Sequence, residues 1–320
     1  MILGDGEKRV FKGMLDRLLE FTGIRCVTYC LMANHFHILL EIGEEEKERF
    51  ATEAEAGGRD AEVCSRVRAL YGKKASASLA KDLAELRASG KGGEAWDRLS
   101  PLVGRMGDLS TIMKELKWRF SAWYNKKNGR VGTLWESRYH SVLIEGSEEA
   151  LAATAAYIDL NPVRAGVARD PKDYRFCAYA EAVAKDGAAR SGLRIVVAGG
   201  DGDLPWQTVL SRYRLSLFGR GRRRRDADGR LLQRGFTDEE VERVEGEDGV
   251  LALHELLRCR VRYMTQGAAV GGRAFLDRLL EARPEFFGSR RKTGGSKMRG
   301  GDWGGLHAVR DLQNAVTRPE

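Results

Sequence analysis

Two histidines stand at alternate positions, His35 and His37, in the run Tyr29-Cys30-Leu31-Met32-Ala33-Asn34-His35-Phe36-His37-Ile38-Leu39-Leu40-Glu41. The run is rich in strand formers, and in a strand successive side chains point to opposite faces. His35 and His37 therefore project side by side, while Phe36 and Ile38 turn the other way into a core. Two imidazoles on one face can share a divalent metal ion. The competing reading is a half-buried strand with satisfied polar residues, and His-x-His alone does not separate the two. A second pair with chemical potential is Tyr157 and Asn161, four residues apart near the end of a helical pattern over Glu148 to Leu160. If the last turn stays helical, both point the same way. Asn161-Pro162 also reads as a helix stop, because the residue before proline is pushed out of the helical region.

The elements that must position these residues follow from periodicity. Val10, Phe11, Met14, Leu15, Leu18 and Leu19 recur at helical spacing within Glu7 to Phe21, and Thr22-Gly23 ends that helix just before the histidine strand. Residues 43–106 are rich in Glu, Ala, Lys and Arg and read as an insertion of charged helices rather than core, a solvated surface or a partner contact. Asp108 caps a helix through Asn125, whose buried stripe is Ile112, Leu116, Phe120 and Trp123. Around it stand Lys114, Lys117, Arg119, Lys126, Lys127 and Arg130, interleaved with Trp118 and Tyr124. Cations among aromatics suit a nucleic-acid strand through phosphate pairing and base stacking; a solvated basic face is the plain alternative. Thr133 to Glu145 mixes aromatic and β-branched residues, an extended segment, and Gly146-Ser147-Glu148-Glu149 opens the helix that carries Tyr157.

Composition bounds the rest. The 320 residues are enough for about two domains, with 42% hydrophobic content to fill their cores. A net charge of +8 points toward a polyanionic partner. Five cysteines without a Cys-x-x-Cys pair encode neither a disulfide framework nor a zinc knuckle. No apolar run is long enough for a bilayer, and Met1 to Lys8 lacks the order of a signal peptide, so a cytoplasmic, nucleoid-associated protein is expected, with no membrane partner. Residues 183–204 read as a linker. Residues 205–288 read as a smaller all-α domain, either a helix-turn-helix DNA reader or a plain bundle, with a capping box at Thr237 to Glu240 and helical patterns over Leu251 to Tyr263 and Arg273 to Ala282. The basic run ending in Arg222, Arg223, Arg224 and Arg225 could track phosphates, and 289–320 reads as a basic flexible tail.

Four pieces in order resemble the REP-associated tyrosine transposases, within the single-tyrosine HUH transposases: Tyr29 to Glu41, the basic-aromatic helix ending in Trp123-Tyr124-Asn125, Gly132-Thr133-Leu134-Trp135-Glu136-Ser137-Arg138-Tyr139, and Tyr157-Ile158-Asp159-Leu160-Asn161-Pro162-Val163-Arg164-Ala165-Gly166, followed by Asp173-Tyr174-Arg175. The resemblance spans most of residues 7 to 180. It implies an α+β catalytic domain over 1–182, an antiparallel ferredoxin-like or RRM-like sheet with helices on its faces. It implies Tyr157 as nucleophile, His35, His37 and Asn161 as ligands of Mg2+ or Mn2+, and single-stranded or hairpin repeat DNA as substrate. Lys117, Arg119, Trp123, Lys126, Lys127, Arg130, Arg138 and Arg164 are the expected DNA contacts beside the arginine run. The family acts as monomers or as homodimers sharing active sites. Its members begin with a further strand, and the start at Met1-Ile2-Leu3-Gly4-Asp5 implies a sheet lacking that strand, with an exposed edge beside the histidine strand. A catalytically inactive, domesticated DNA-binding protein is the alternative expectation.

Overall fold

The computed structural model describes residues 3–199, 204–219, 224–225, 231–233, 263–287, 291, 293–298, 303 and 305–309. It is a mixed α+β chain that divides into two compact units, one made of residues 1–26 and 40–139, the other of 27–39 and 140–320.

In the first unit, α1 (Asp5–Thr22) buries Phe11, Leu15, Leu18 and Phe21 on one face, as the spacing predicts, and Gly23 ends it in the left-handed conformation (φ 72°) that favours glycine. A hairpin follows, β1 (Arg25–Leu31) and β2 (Phe36–Glu41), whose middle part belongs to the second unit. Residues 43–106 are not a solvated appendage. They form α2 (Glu44–Glu55), α3 (Asp60–Tyr71), α4 (Lys73–Ala88) and α5 (Gly92–Val103) around a core of Phe50, Ala54, Val63, Val67, Leu83, Leu99, Val103 and Met106, joined by Phe21 of α1. The apolar positions are sparse and spread among alanines and charges, so each helix alone reads as surface; four together enclose a core. After them α6 (Leu109–Lys127) is capped by Asp108, which accepts the amides of Ser110 and Thr111, and packs on α1 with Phe11 edge-on to Phe120 at 5.2 Å. Trp135 pins the following loop: its indole N–H donates to the Lys117 carbonyl at 3.1 Å, and its ring lies against Phe11 and Phe120.

The second unit holds β3 (Leu143–Ile144), α7 (Glu148–Asp159), α8 (Asn161–Arg164), α9 (Ala178–Val183), α10 (Gly187–Ala198) and α11 (Trp206–Gly219). Ser147 caps α7, accepting the Ala150 amide. The expected linker is instead α10, with Leu193 and Val196 buried and the helix packed on α7, α9 and α11. Five of its twelve residues are alanine or glycine, a composition shared with linkers. Beyond it come β4 (Arg224–Arg225), β5 (Leu231–Gln233), α12 (Tyr263–Gln266), β6 (Ala269–Gly271), α13 (Arg273–Ala282), β7 (Ser296–Lys297) and β8 (His307–Val309). The carboxyl-terminal part is therefore not all-α, nor is 289–320 wholly a flexible tail. A mixed sheet in the order β3-β6-β8-β7 joins residues from both sides of the expected domain boundary, with Leu143 beside Ala269 in parallel and Val270 opposite Ala308 in antiparallel register. Its strands are two or three residues long, too short to declare a period. The helical pattern at Arg273 to Ala282 is present as α13; the capping box at 237–240 and most of the pattern at 251–263 lie outside the described residues. No helix among the described residues is long and apolar enough to cross a membrane.

Candidate active site

The second unit brings the histidines and the tyrosine together. The hairpin turn closes with the Met32 amide donating to the His35 carbonyl at 2.8 Å, so His35 sits just before β2 and His37 within it. Their rings lie edge to face with centroids 5.1 Å apart, on the same side as alternation requires. His37 in turn stands edge-on to Tyr157, centroids 5.9 Å apart. The edge of β1 is not left open at this end. Leu31 donates its amide to the Phe176 carbonyl at 2.9 Å, Cys30 bridges Cys177 in antiparallel register, and the Tyr174 hydroxyl donates to the Leu31 carbonyl at 2.6 Å. Residues 174–177 thus cover the outer edge of β1 at this end, while β2, the strand that carries His37, pairs with no second strand among the described residues.

Helix α7 ends at Asp159, but the chain does not leave the helical path: Leu160 keeps φ −78° and ψ 0°, and a further turn, α8, begins at Asn161 with Pro162 second. Proline is tolerated there because a first-turn N–H has no intrahelical partner. The Arg164 amide donates to the Leu160 carbonyl, and the turn carries the guanidinium back over the Tyr157 ring, 4.1 Å from its centroid, with Nη2 donating to the Tyr157 carbonyl at 2.6 Å. Arg164 is therefore part of the tyrosine's surroundings, a stronger role than an outer DNA contact. Asn161 is buried and one side-chain amide corner, Nδ2, has no hydrogen-bond partner. A native buried polar atom without a partner asks for an explanation.

The electrostatics favour neutral imidazole. Burial lowers the His37 pKa to about 4, helped by the positive charges of His35 and Arg164, so at neutral pH its ring is an available ligand. The described residues hold no group of three His, Cys, Asp or Glu able to bind a metal, so a third protein donor would be of another type. The spacing of the two imidazoles fits a divalent ion. Two imidazoles bound to one ion at about 2 Å set their ring centres roughly 5 Å apart, as here. A half-turn of the Asn161 amide puts its oxygen where the unpartnered nitrogen lies.

Comparison with known protein families, with curated proteins and with solved structures returns no match.

The other expected DNA contacts separate into two sets. Lys117 donates to the Ser137 carbonyl at 2.7 Å, and partial burial lowers its pKa; Arg119 pairs with Glu115 at 2.8 Å; Lys127 pairs with Glu7 at 2.6 Å and lies over the half-buried Trp123. These hold the first unit together. Lys126, Arg130 and Arg138 are exposed. Arg222 and Arg223 lie outside the described residues; Arg224 and Arg225 form β4, paired with β5.

Sequence reasoning missed one group. Asp159, fully buried two residues after Tyr157, accepts hydrogen bonds from Thr28 of β1 at 2.7 Å, from the Cys177 thiol at 3.4 Å, and from the Tyr213 hydroxyl of α11. Burial pushes its pKa up to about 6 against the three donors that lower it. The available signal was a lone carboxylate inside the alanine-rich stretch of α7.

Proposed function

We propose that this chain is a metal-dependent DNA transesterase of the HUH tyrosine type, with an affinity to the REP-associated transposases. The proposal includes a ferredoxin-like core that contains the histidine hairpin and the tyrosine helix. The observation that carries it is the 5.9 Å approach of the His37 and Tyr157 rings from segments more than a hundred residues apart in the chain.

In this reading His35, His37 and Asn161 hold a divalent ion, magnesium or manganese. Such an ion supplies Lewis acidity toward a phosphate oxygen of the scissile linkage. The Tyr157 Oη attacks phosphorus, the bond from phosphorus to the 3′-oxygen breaks, and the strand's 5′-phosphate remains on the tyrosine. The phenol loses one proton and the departing 3′-oxygen gains one, so the step needs no redox partner. Attack by a 3′-hydroxyl on the phosphotyrosine reverses the bond change and joins strands. Arg164 fixes the nucleophile: its bond to the Tyr157 carbonyl and its seat over the ring restrict the tyrosine's rotamers before substrate arrives.

The test is incubation of the full chain and of Tyr157→Phe with labelled single-stranded and hairpin oligonucleotides and manganese, read as a covalent adduct on a denaturing gel. The adduct is expected only with the parent chain. Equal strand cleavage by both would remove the tyrosine from the mechanism. Tight binding without any adduct in any divalent metal would favour the alternative, a DNA-binding protein without chemistry.

A further inference from the structure

The outer face of α6 carries a feature that the proposed active site does not use. Trp118 is 65% exposed, whereas Phe120 on the same helix is buried and Trp123 and Trp135 are half-buried. A tryptophan left in water on a helix whose other large rings are packed has its ring faces free to stack on a flat partner. Its surroundings along the helix are cationic. Lys114 lies one turn before it and Lys126 two turns after, with exposed Ala122 between and Arg130 just past the helix end. At 1.5 Å rise per residue, Lys114 is about 6 Å and Lys126 about 12 Å from Trp118 along the axis. That compares with the roughly 6 Å between successive phosphates of an extended strand. Among the described residues, the side chains of Lys114, Lys126 and Arg130 make no ion pair or hydrogen bond, in contrast to Lys117, Arg119 and Lys127 of the same helix, which are held by Ser137, Glu115 and Glu7.

We infer that the Lys114–Trp118–Lys126 face of α6 is a single-stranded DNA track, with a base stacked on Trp118 and the flanking phosphates on the lysines. The chemistry favours nucleic acid over a protein partner because exposed cations flank the ring along the helix, and a base offers a flat π face between anionic groups. The inference rests on the proposed reading of the chain as a DNA enzyme. It deepens that reading by assigning binding to a helix face outside the His37–Tyr157 group.

The experiment uses the full chain carrying Tyr157→Phe, so that binding is measured without cleavage, and a fluorescent oligothymidylate followed by anisotropy. Trp118→Ala is expected to weaken binding about tenfold or more while Trp118→Phe retains most of it. Lys114→Ala and Lys126→Ala are each expected to reduce the slope of log affinity against log salt by about 0.7, whereas Trp118→Ala leaves the slope unchanged. Because Trp118 is exposed, its replacement leaves the fold intact, checked by circular dichroism. If Trp118→Ala binds like its parent, or if Trp118→Phe is as weak as alanine, the stacking assignment is overturned while the active-site reading stands. If the parent binds no single strand at any salt, both are overturned together.

Discussion

Asp159 and Asn161 are two residues apart and both buried, yet their surroundings are opposite. Asp159 has three donors, drawn from β1, from α11 and from the segment that covers the hairpin edge, so its carboxylate is surrounded by partners that reward it only in the folded chain. The Asn161 Nδ2 has no hydrogen-bond partner among the described residues. A saturated buried polar group ties elements together, and an unsaturated one asks for an explanation such as strain, a bound water, an ion or a catalytic role. On the proposed function, one helix end divides its work: Asp159 anchors, while Tyr157, Asn161 and Arg164 serve the chemistry.

The largest effect that tests this division is loss of the anchor. Asp159→Ala leaves the hydroxyls of Thr28 and Tyr213 without their acceptor in a buried site, and the expected cost is about 3–5 kcal/mol, read from the urea midpoint. Asp159→Asn keeps an acceptor and should cost much less. If both substitutions cost the same small amount, Asp159 is not an anchor.

The next effect is on pH dependence, where the two sides of the helix pull in opposite directions. The folded pKa of His37 is lowered to about 4 from 6.5, so the unfolded chain binds more protons between those values. The stability from His37 is present above about 6.5 and is lost as pH falls through the window to 4. For Asp159 the folded pKa is raised to about 6 from 3.8, so the folded chain holds the extra proton in that window, and stability falls as pH rises from about 4 to 6. Each contribution is about 3 kcal/mol at its limit, at 1.36 kcal/mol per pKa unit, and in the parent they largely offset. His37→Gln should therefore leave a curve that declines from pH 4 to 6, relative to the parent, and Asp159→Asn one that climbs over pH 4 to 6.5. Chemical denaturation across that range reads both slopes, and identical slopes in the two variants would contradict the assignment.

What was legible in the sequence follows from how local each signal is. Alternation placed His35 and His37 on one side, and the hydroxyl of Ser147 and the carboxylate of Asp108 announced the starts of the helices they cap. The helix stop read at Asn161-Pro162 is a change of segment, since α7 ends at Asp159 and the proline falls in the first turn of α8. The features that escaped depend on distant partners. The core of the 43–106 helices exists only when Phe50, Val67, Leu83 and Leu99 meet, and helix α10 shows its buried face only against α7 and α9. Strands of two or three residues, such as β3 and β6, carry no period and pair across more than a hundred positions. Asp159 was hidden for the same reason: one carboxylate among alanines has no local meaning until Thr28, Cys177 and Tyr213 surround it.

The smallest effect on stability is expected at Asn161, and it is the sharpest test of the comparison. Removing a buried amide whose Nδ2 makes no hydrogen bond deletes little that the fold uses, so Asn161→Ala should shift the unfolding free energy by less than about 1 kcal/mol. The same change should weaken manganese binding, followed by calorimetry on the full chain, by about tenfold, because an amide oxygen is lost as a donor. Asn161→Asp separates the two roles further. A carboxylate is a better ligand for a hard cation but carries a charge into a buried site, so it should bind manganese at least as well as the parent and be less stable in the metal's absence, with the metal restoring the loss. A large stability loss in Asn161→Ala together with unchanged manganese affinity would make Asn161 an anchor like Asp159 and leave the histidine pair without its third ligand.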